Sequence, residues 1–305
     1  MVRAPAHDAT AAPVSRQGNP LVLPPSGSYG VQMAQVTVTG KSGRWEAYDG
    51  GQRVGVLRAG TRPDRRTHVA FQDCRDDAYA PLLAHARTDL TGDLHTSVDE
   101  RDYAGMRQLG DLGFTLRRIE HRYRVPVDPA RLRLRAVVAP AGIEMISAAD
   151  ADLDRLRALD DTLRHEVPGS EGWRWRAEEF REETFSDGFD PETYLVAAER
   201  DTGTYVGLVR LWMKQAGPRF GHIGVLPPWR CTRVTYALLS TVFSRLHRRG
   251  WREAEAEIDA TNRASNAIAA RAGAVRIGGS CVLVRRGAAG QEGSTGSSSN
   301  SSDAR

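Results

Sequence analysis

One segment of this chain occurs twice. Val98-Asp99 through Gly113-Phe114 aligns without a gap to Ile258-Asp259 through Gly273-Ala274, with Asp99 matching Asp259 and Gly113 matching Gly273. The likeness continues upstream. RVGVLRA (53–59) resembles YVGLVRL (205–211), His68-Val69 resembles His222-Ile223, and Leu82-Leu83 resembles Leu238-Leu239. A repeat of this length is a folding unit rather than the period of a solenoid. The chain must therefore build one unit twice. The pattern inside each copy runs strands, helix, strand, helix, strands, which describes an α/β unit with a mixed sheet.

Reading in order, residues 1–30 are rich in Ala, Pro, Ser and Gly without periodicity and are expected to be disordered. The first copy is expected over 31–127. Val31–Thr39 alternates as a strand, 53–59 and 67–71 give two more, and a helix follows over 79–90. A strand near 94–98, a helix over 102–112 and strands from 114 to 125 complete it. Residues 128–141 carry two prolines and no clean period, and read as a link. The second copy is expected over 142–286. Its elements are a strand at 142–147, a helix over 149–164 opening near Asp150 or Asp152, and a short helix after GWRWRAEEF. Strands at 194–198 and 205–213 flank the turn Asp201-Thr202-Gly203. A strand at 253–259, a helix over 263–272 and two terminal strands ending at Val284 close the copy. The Gly/Ser-rich tail, 287–305, is expected to be disordered.

The most informative stretch of the second copy is FGHIGVLPPWRCTRVTYALLSTVFSRLHRR (220–249). A short apolar strand stops at Pro227-Pro228, passes a polar knot from Trp229 to Thr235, and feeds an amphipathic helix. Val234, Ala237, Leu238, Val242 and Leu246 recur there at steps of three and four. The first N–H groups of such a helix have no intrahelical acceptor, and the dipole favours anions, so this is a phosphate-binding layout.

The stretch resembles the acyl-CoA loop of the GNAT superfamily of acyltransferases. The family pattern is an I/V-x-V strand, then Gln or Arg, two residues, Gly, one residue, and Gly or Ala. Ile223-Gly224-Val225 matches the strand and Arg230 the first loop position, while Arg233 and Thr235 occupy the two small positions. The order of elements also matches, so the resemblance implies two tandem GNAT-like domains, each a mixed, mostly antiparallel sheet flanked by helices. The first copy has Cys74-Arg75-Asp76-Asp77 where the phosphate loop belongs. Carboxylates facing a pyrophosphate repel it by roughly a few tenths to a few kcal/mol. That copy is therefore expected to be degenerate, covering its partner and completing a substrate cleft.

What the resemblance implies for function is transfer of an acyl group, in the first place acetyl, from CoA to an amine by direct attack. Acetyl-CoA would be a co-substrate. Gly224, Val225 and Leu226 would offer backbone groups to pantetheine, and Arg230, Cys231, Thr232, Arg233, Val234 and Thr235 would cradle the pyrophosphate. Arg233 either binds phosphate itself or blocks its approach. Asn262 either contacts the cofactor or serves as a helix N-cap. The tyrosine acid usual in the following helix is replaced by Ala269, which leaves solvent or Tyr236 to protonate the thiolate. For the base, Glu253, Glu255, Glu257 and Asp259 alternate with apolar residues, so one strand face carries all four carboxylates. Crowded carboxylates raise one another's pKa. Glu257 ranks first as base, Glu255 second and His222 third. Trp173, Trp175, Phe180 and Phe185 fall where the family places its acceptor-binding helices; either they pack a mobile lid, or Arg174 and Arg176 among them read an acidic group on the acceptor, or the aromatics stack on nucleic-acid bases. A non-catalytic module with a decayed CoA site is the alternative reading.

Charge and cysteine usage bound the partners. The net charge is +4, yet no acidic residue occurs from Val209 to Arg252. Nucleic-acid binding is one account of those arginines. A polyphosphate ligand accounts for most of them, and a solvated helix face accounts for Arg245, Arg248 and Arg249. No apolar run approaches the ~20 residues of a membrane span, and three scattered cysteines suggest neither a metal site nor a disulfide framework. The expectation is a cytoplasmic enzyme acting on a small-molecule or peptide amine.

Overall fold

A computed structural model describes residues 36–128 and 137–287. In the first copy the order is β1 (Thr37–Lys41), β2 (Arg44–Asp49), β3 (Gln52–Thr61), β4 (Thr67–Gln72), α1 (Tyr79–Ala86), β5 (Leu94–Asp99), α2 (Tyr103–Asp111) and β6 (Thr115–Pro126). In the second it is β7 (Ile143–Ser147), α3 (Leu153–Arg164), α4 (Ala177–Thr184), β8 (Tyr194–Glu199), β9 (Tyr205–Lys214) and β10 (Gly217–Val225). Then come α5 (Val234–Arg248), β11 (Glu253–Asp259), α6 (Arg263–Arg271) and β12 (Val275–Arg285). The mixed α/β fold expected from the repeat is present.

The strands join into a single 12-stranded sheet in the order β1-β2-β3-β4-β5-β12-β6-β11-β10-β9-β8-β7. Only β4/β5 and β10/β11 run parallel; every other neighbouring pair is antiparallel. At the centre the copies exchange their last strands. β12 lies between β5 and β6, and β6 lies between β12 and β11. The exchange extends into the cores. Cys281 and Leu283 of β12 pack with Trp45, Leu57 and Leu82 of the first copy, while Val125 of β6 packs with Val234 and Leu238 of the second. Burying such side chains contributes about 1.5–3 kcal/mol each, so each copy depends on a strand supplied by the other.

Three readings of the sequence change. β6 and β12 are each one long strand, where two apiece were expected. The pairing of β12 with β6 shifts register between Arg276 and Gly278 without ending the strand. β2 went unread, although Trp45 and Ala47 alternate with Glu46 and are wholly buried. The strand expected over 31–39 starts at Thr37, and residues 31–35 lie outside the described residues, as do the disordered segments expected at 1–30 and 288–305.

Period-two alternation sorts the second copy into two layers. Leu195, Ala197, Val209 and Leu211 pack under α5, whose stripe of Val234, Ala237, Leu238, Val242 and Leu246 is buried as expected. Tyr194, Val196 and Leu208 face the other way, onto Leu156, Leu159 and Leu163 of α3. Asp152 caps α3 by accepting from the Arg155 amide at 2.9 Å.

Candidate active site

β10 and β11 touch in register at one point, Arg219 opposite Glu255. Beyond it they separate. On its other side β10 remains paired with β9 as far as Val225 opposite Gly207. A bulge between Phe220 and His222 bends β10 where the separation starts. Gly221 is required there, because a Cβ would lie 2.8 Å from the Trp212 ring. The gap between the strands is a cleft of about 140 Å³ walled by Phe220, His222, Ile223, Phe243, Ile268 and Ala269.

His222 is the polar group at its centre. It is 7% exposed, and Nδ1 lies 3.2 Å from Oδ2 of Asp160, which is fully buried on α3. Asp160 also accepts from Arg164 Nε at 2.9 Å and from Trp175 Nε1 at 2.8 Å. Burial alone would raise the Asp160 pKa, but the hydrogen bond from His222 and the charge of Arg164 outweigh it and hold the carboxyl well below its ordinary value. An ionised carboxylate only accepts, so Nδ1 carries the proton, and in the neutral ring Nε2 presents a lone pair. Nε2 is screened from solvent and has no partner among the described residues. Trp173 and Trp175 meet edge to face at 5.2 Å with the Arg164 guanidinium 4.8 Å above Trp173, so these aromatics brace the histidine network. Phe180 is fully buried against Trp175, and Phe185 packs on Phe189. Arg176 is engaged by Glu179 in a capping box.

The carboxylate stripe has the expected face but not the expected company. Glu253, Glu255 and Glu257 are exposed while Ala254 and Ala256 are buried. Arginines of β6 and β10 interleave with them. Glu257 pairs with Arg219 at 2.5 Å and Arg122 at 3.7 Å, and Glu253 with Arg124 at 3.0 Å. Mutual repulsion is therefore not the local electrostatics. Only Glu257 and Asp259 of the four reach the cleft. Glu255 lies outside it.

The predicted loop residues surround the far end of β10. Gly224 faces α3, where a Cβ would meet Leu163 at 3.3 Å. Val225 is buried in the core under α5, and the Leu226 amide bonds to the Val206 carbonyl at 2.8 Å. Arg230 is held by Glu166 and reaches the Val225 carbonyl at 3.4 Å. The left-handed residue of the loop is Cys231, with φ of 60°. Arg233, at φ −82°, needs no such conformation and is exposed at the N-cap of α5. Thr232 Oγ1 takes the Val234 amide at 3.3 Å, and Ala237 is the first amide to bond back, to Arg233. The amides of Thr235 and Tyr236 lie between these two. Asn262 caps α6 by accepting from the Ser265 amide at 3.1 Å, and also lines the cleft. The Tyr236 hydroxyl accepts from Arg271 at 3.1 Å rather than lining the cleft.

A second, polar cavity of about 540 Å³ adjoins the first, and Asp259 lines both. Its walls are the β3–β4 turn of the first copy (62–66), the centre of the sheet, and the α3–α4 connection at 168–171. Arg66 donates to the Gly169 carbonyl at 2.7 Å and to Glu171 at 3.0 Å, and Arg118 donates to the Pro168 carbonyl at 2.8 Å. The first copy thus holds the loop that borders the cleft of the second. Sequence reasoning missed Asp160, Arg164 and this cavity. The i,i+4 spacing of Asp160 and Arg164 was visible, but nothing local tied them to His222.

The acid-free basic stretch does not form one surface. Arg210 is buried and bonds to the Glu183 carbonyl. Arg219, Arg230 and Arg249 have carboxylate partners, and Arg245 donates to the Glu192 carbonyl at 2.9 Å. The helix-face reading fails for Arg245 and Arg249, which are tied to the α4–β8 connection. Among the described residues, none of the helices is long and apolar enough to cross a membrane.

Comparison with known proteins places this geometry. No curated protein matches the chain by sequence. In structure, the chain is similar to a GCN5-related N-acetyltransferase from Sphaerobacter thermophilus, with 20% identity, 80% of each chain covered and a TM-score of 0.59. It is also similar to a tandem GNAT protein from the clavulanic acid biosynthesis pathway, with 16% identity, 80% of this chain and 82% of that one covered, and a TM-score of 0.58. Residues 131–275 match the acetyltransferase (GNAT) domain family. The chain therefore has the fold of these GNAT structures, one of them tandem, and the match to the GNAT family falls on residues 131–275, over most of the second copy.

Proposed function

We propose that the second copy, over 142–286, transfers an acetyl group from CoA to an amine, and that the first copy, over 31–127, is a degenerate partner without a CoA site of its own. The observation that carries this reading is the separation of β10 from β11 around an unpaired histidine nitrogen. The β11-facing edge of His222–Val225 has no strand partner, which suits a pantetheine chain lying along it as an extra strand. The helix N-terminus at Val234 and the exposed Arg233 suit the pyrophosphate. Arg230 fits that role once it leaves Glu166.

In this reading acetyl-CoA supplies a thioester, and the amine nitrogen attacks its carbonyl carbon. A C–N bond forms, the C–S bond breaks, and CoA leaves as thiolate. His222 Nε2 takes the proton lost by the amine, replacing Glu257 as first choice because Glu257 is engaged by two arginines. Asp160 is a positioning residue that fixes the tautomer of His222. Solvent protonates the thiolate, since Tyr236 lies outside the cleft and a thiol ionises not far above neutral pH.

Calorimetric titration of acetyl-CoA tests the reading, with Arg233→Gly and dephospho-CoA as controls, followed by assay of CoA release with amines. Saturable binding with histidine-dependent turnover is the expected result. Absence of binding to the native protein, with recovery in Arg233→Gly, would instead mean a decayed site.

A further inference from the structure

We propose that the larger cavity selects the acceptor by an anionic group, a phosphate or a carboxylate, held by Arg62 and Arg117, with the acceptor's amine at the Asp259 end beside the cleft. This rests on acyl transfer to an amine in that cleft.

The charge inventory carries the argument. Six arginines and four carboxylates line the cavity. Every carboxylate is already matched. Asp64 and Glu171 pair with Arg66, Asp259 with Arg118, and Asp93 with Arg286. Arg62, Arg65 and Arg117 have no carboxylate or carbonyl partner among the described residues. The surplus is built in rather than incidental. Consecutive residues of a strand point to opposite faces, yet Arg117 and Arg118 line the same cavity. The pairing of β6 with β12 shifts register across Arg117, with Val282 opposite Arg118 and Leu283 opposite Leu116, so Arg117 is a bulge residue re-aimed to the cavity side. Arg62 comes from the opposite wall, in a turn closed by the Arg62 amide on the Arg66 carbonyl at 3.1 Å.

The floor agrees. His68 and His95 stack at 5.3 Å, and His68 Nε2 is shielded from solvent without a partner. Burial, then the neighbouring Arg62, push the His68 pKa down to about 3, which describes a neutral ring beside the Arg62 guanidinium. An anion there would complete both guanidiniums with charge-assisted hydrogen bonds. A neutral acceptor would leave both without a counter-charge.

The test uses the full chain and two matched pairs of amines. O-phosphoethanolamine is compared with ethanolamine, and glutamate with its diamide, by calorimetry and by the arginine side-chain resonances. The expected result is saturable binding of at least one anionic member, with its neutral partner binding at least about tenfold more weakly. Which member binds separates a phosphorylated from a carboxylated acceptor. The double variant Arg62→Gln/Arg117→Gln should lose about tenfold or more in that affinity while binding acetyl-CoA as the native protein does. Equal binding within both pairs, binding of none of the four, or a loss caused by Arg233→Gln instead of the double variant overturns the proposal. Failure of acetyl-CoA to bind the native protein would defeat the acyl-transfer reading separately, because the amine titrations need no CoA.

Discussion

His222 Nδ1 and Asp160 Oδ2, 62 residues apart in the chain, meet at 3.2 Å inside the second copy. The contact orients the ring of a strand histidine, which is the base in the proposed reaction. It joins α3 to the strand that borders the cleft.

Replacing Asp160 by Asn should reduce kcat for CoA release by about 10²- to 10⁴-fold, the usual range for a disabled general base. KM for acetyl-CoA should hold. The same change leaves Arg164 buried without its carboxylate and should cost about 3–5 kcal/mol of stability. Long-range ¹H–¹⁵N spectra provide a readout that a merely structural role would not move. The native ring should be the Nδ1–H tautomer, and in Asp160→Asn that preference should vanish. An unchanged tautomer would sink the positioning role.

Arg230 is tied to Glu166 at an exposed pair. Exposed pairs contribute about 0–1 kcal/mol, so Glu166→Gln should free Arg230 and tighten acetyl-CoA binding by up to about fivefold. Weaker binding, measured by calorimetry, would show that the pair supports the site instead.

Gly169 has φ of +84°, and a Cβ there would lie 2.1 Å from the Arg118 guanidinium. Gly169→Ala should destabilise the protein by about 1–2 kcal/mol through the left-handed backbone alone, with a further cost as Arg118 leaves the Pro168 carbonyl. Urea midpoints measure the first effect. Faster amide exchange at 168–171 in the variant measures the second.

His68 sets a pH dependence. Its folded pKa, about 3, lies below the ordinary value of 6.5, so between those limits the unfolded chain binds more protons than the folded one. Its contribution to stability is present above about pH 6.5 and is lost progressively as pH falls toward 3. The urea midpoint should decline through that window, and His68→Leu should flatten the decline. A native and a variant profile with equal slopes would remove His68 from the account.

Neither copy should fold alone. Residues 36–128 lack β12 and leave β5 and β6 with open edges, and residues 137–287 lack β6 between β11 and β12. Each half produced separately should give weak secondary structure and aggregate, and the two produced together should restore a cooperative melt. A stable, monomeric half would show that the exchanged strand is dispensable.

The repeat, the alternation of strands and the stripe on α5 were legible because they are local periodicities, set by 3.6 residues per helical turn and two per strand. So was the strand-turn-helix layout of 220–235, since it is contiguous in sequence. Parity also placed Glu253, Glu255 and Glu257 on one face correctly. What the sequence withheld were the neighbours. Two of the arginines that engage those carboxylates, Arg122 and Arg124, come from β6, a strand of the other copy. Which half of the sheet receives β6 and which β12 is not written in either strand, because both carry similar alternating patterns and backbone hydrogen bonds are indifferent to their donor's position in the chain. The same holds for Asp160 beneath His222, and for Arg62 and Arg117 lining one cavity. Each pair is made by packing, and packing depends on which surfaces the whole chain can bury at once.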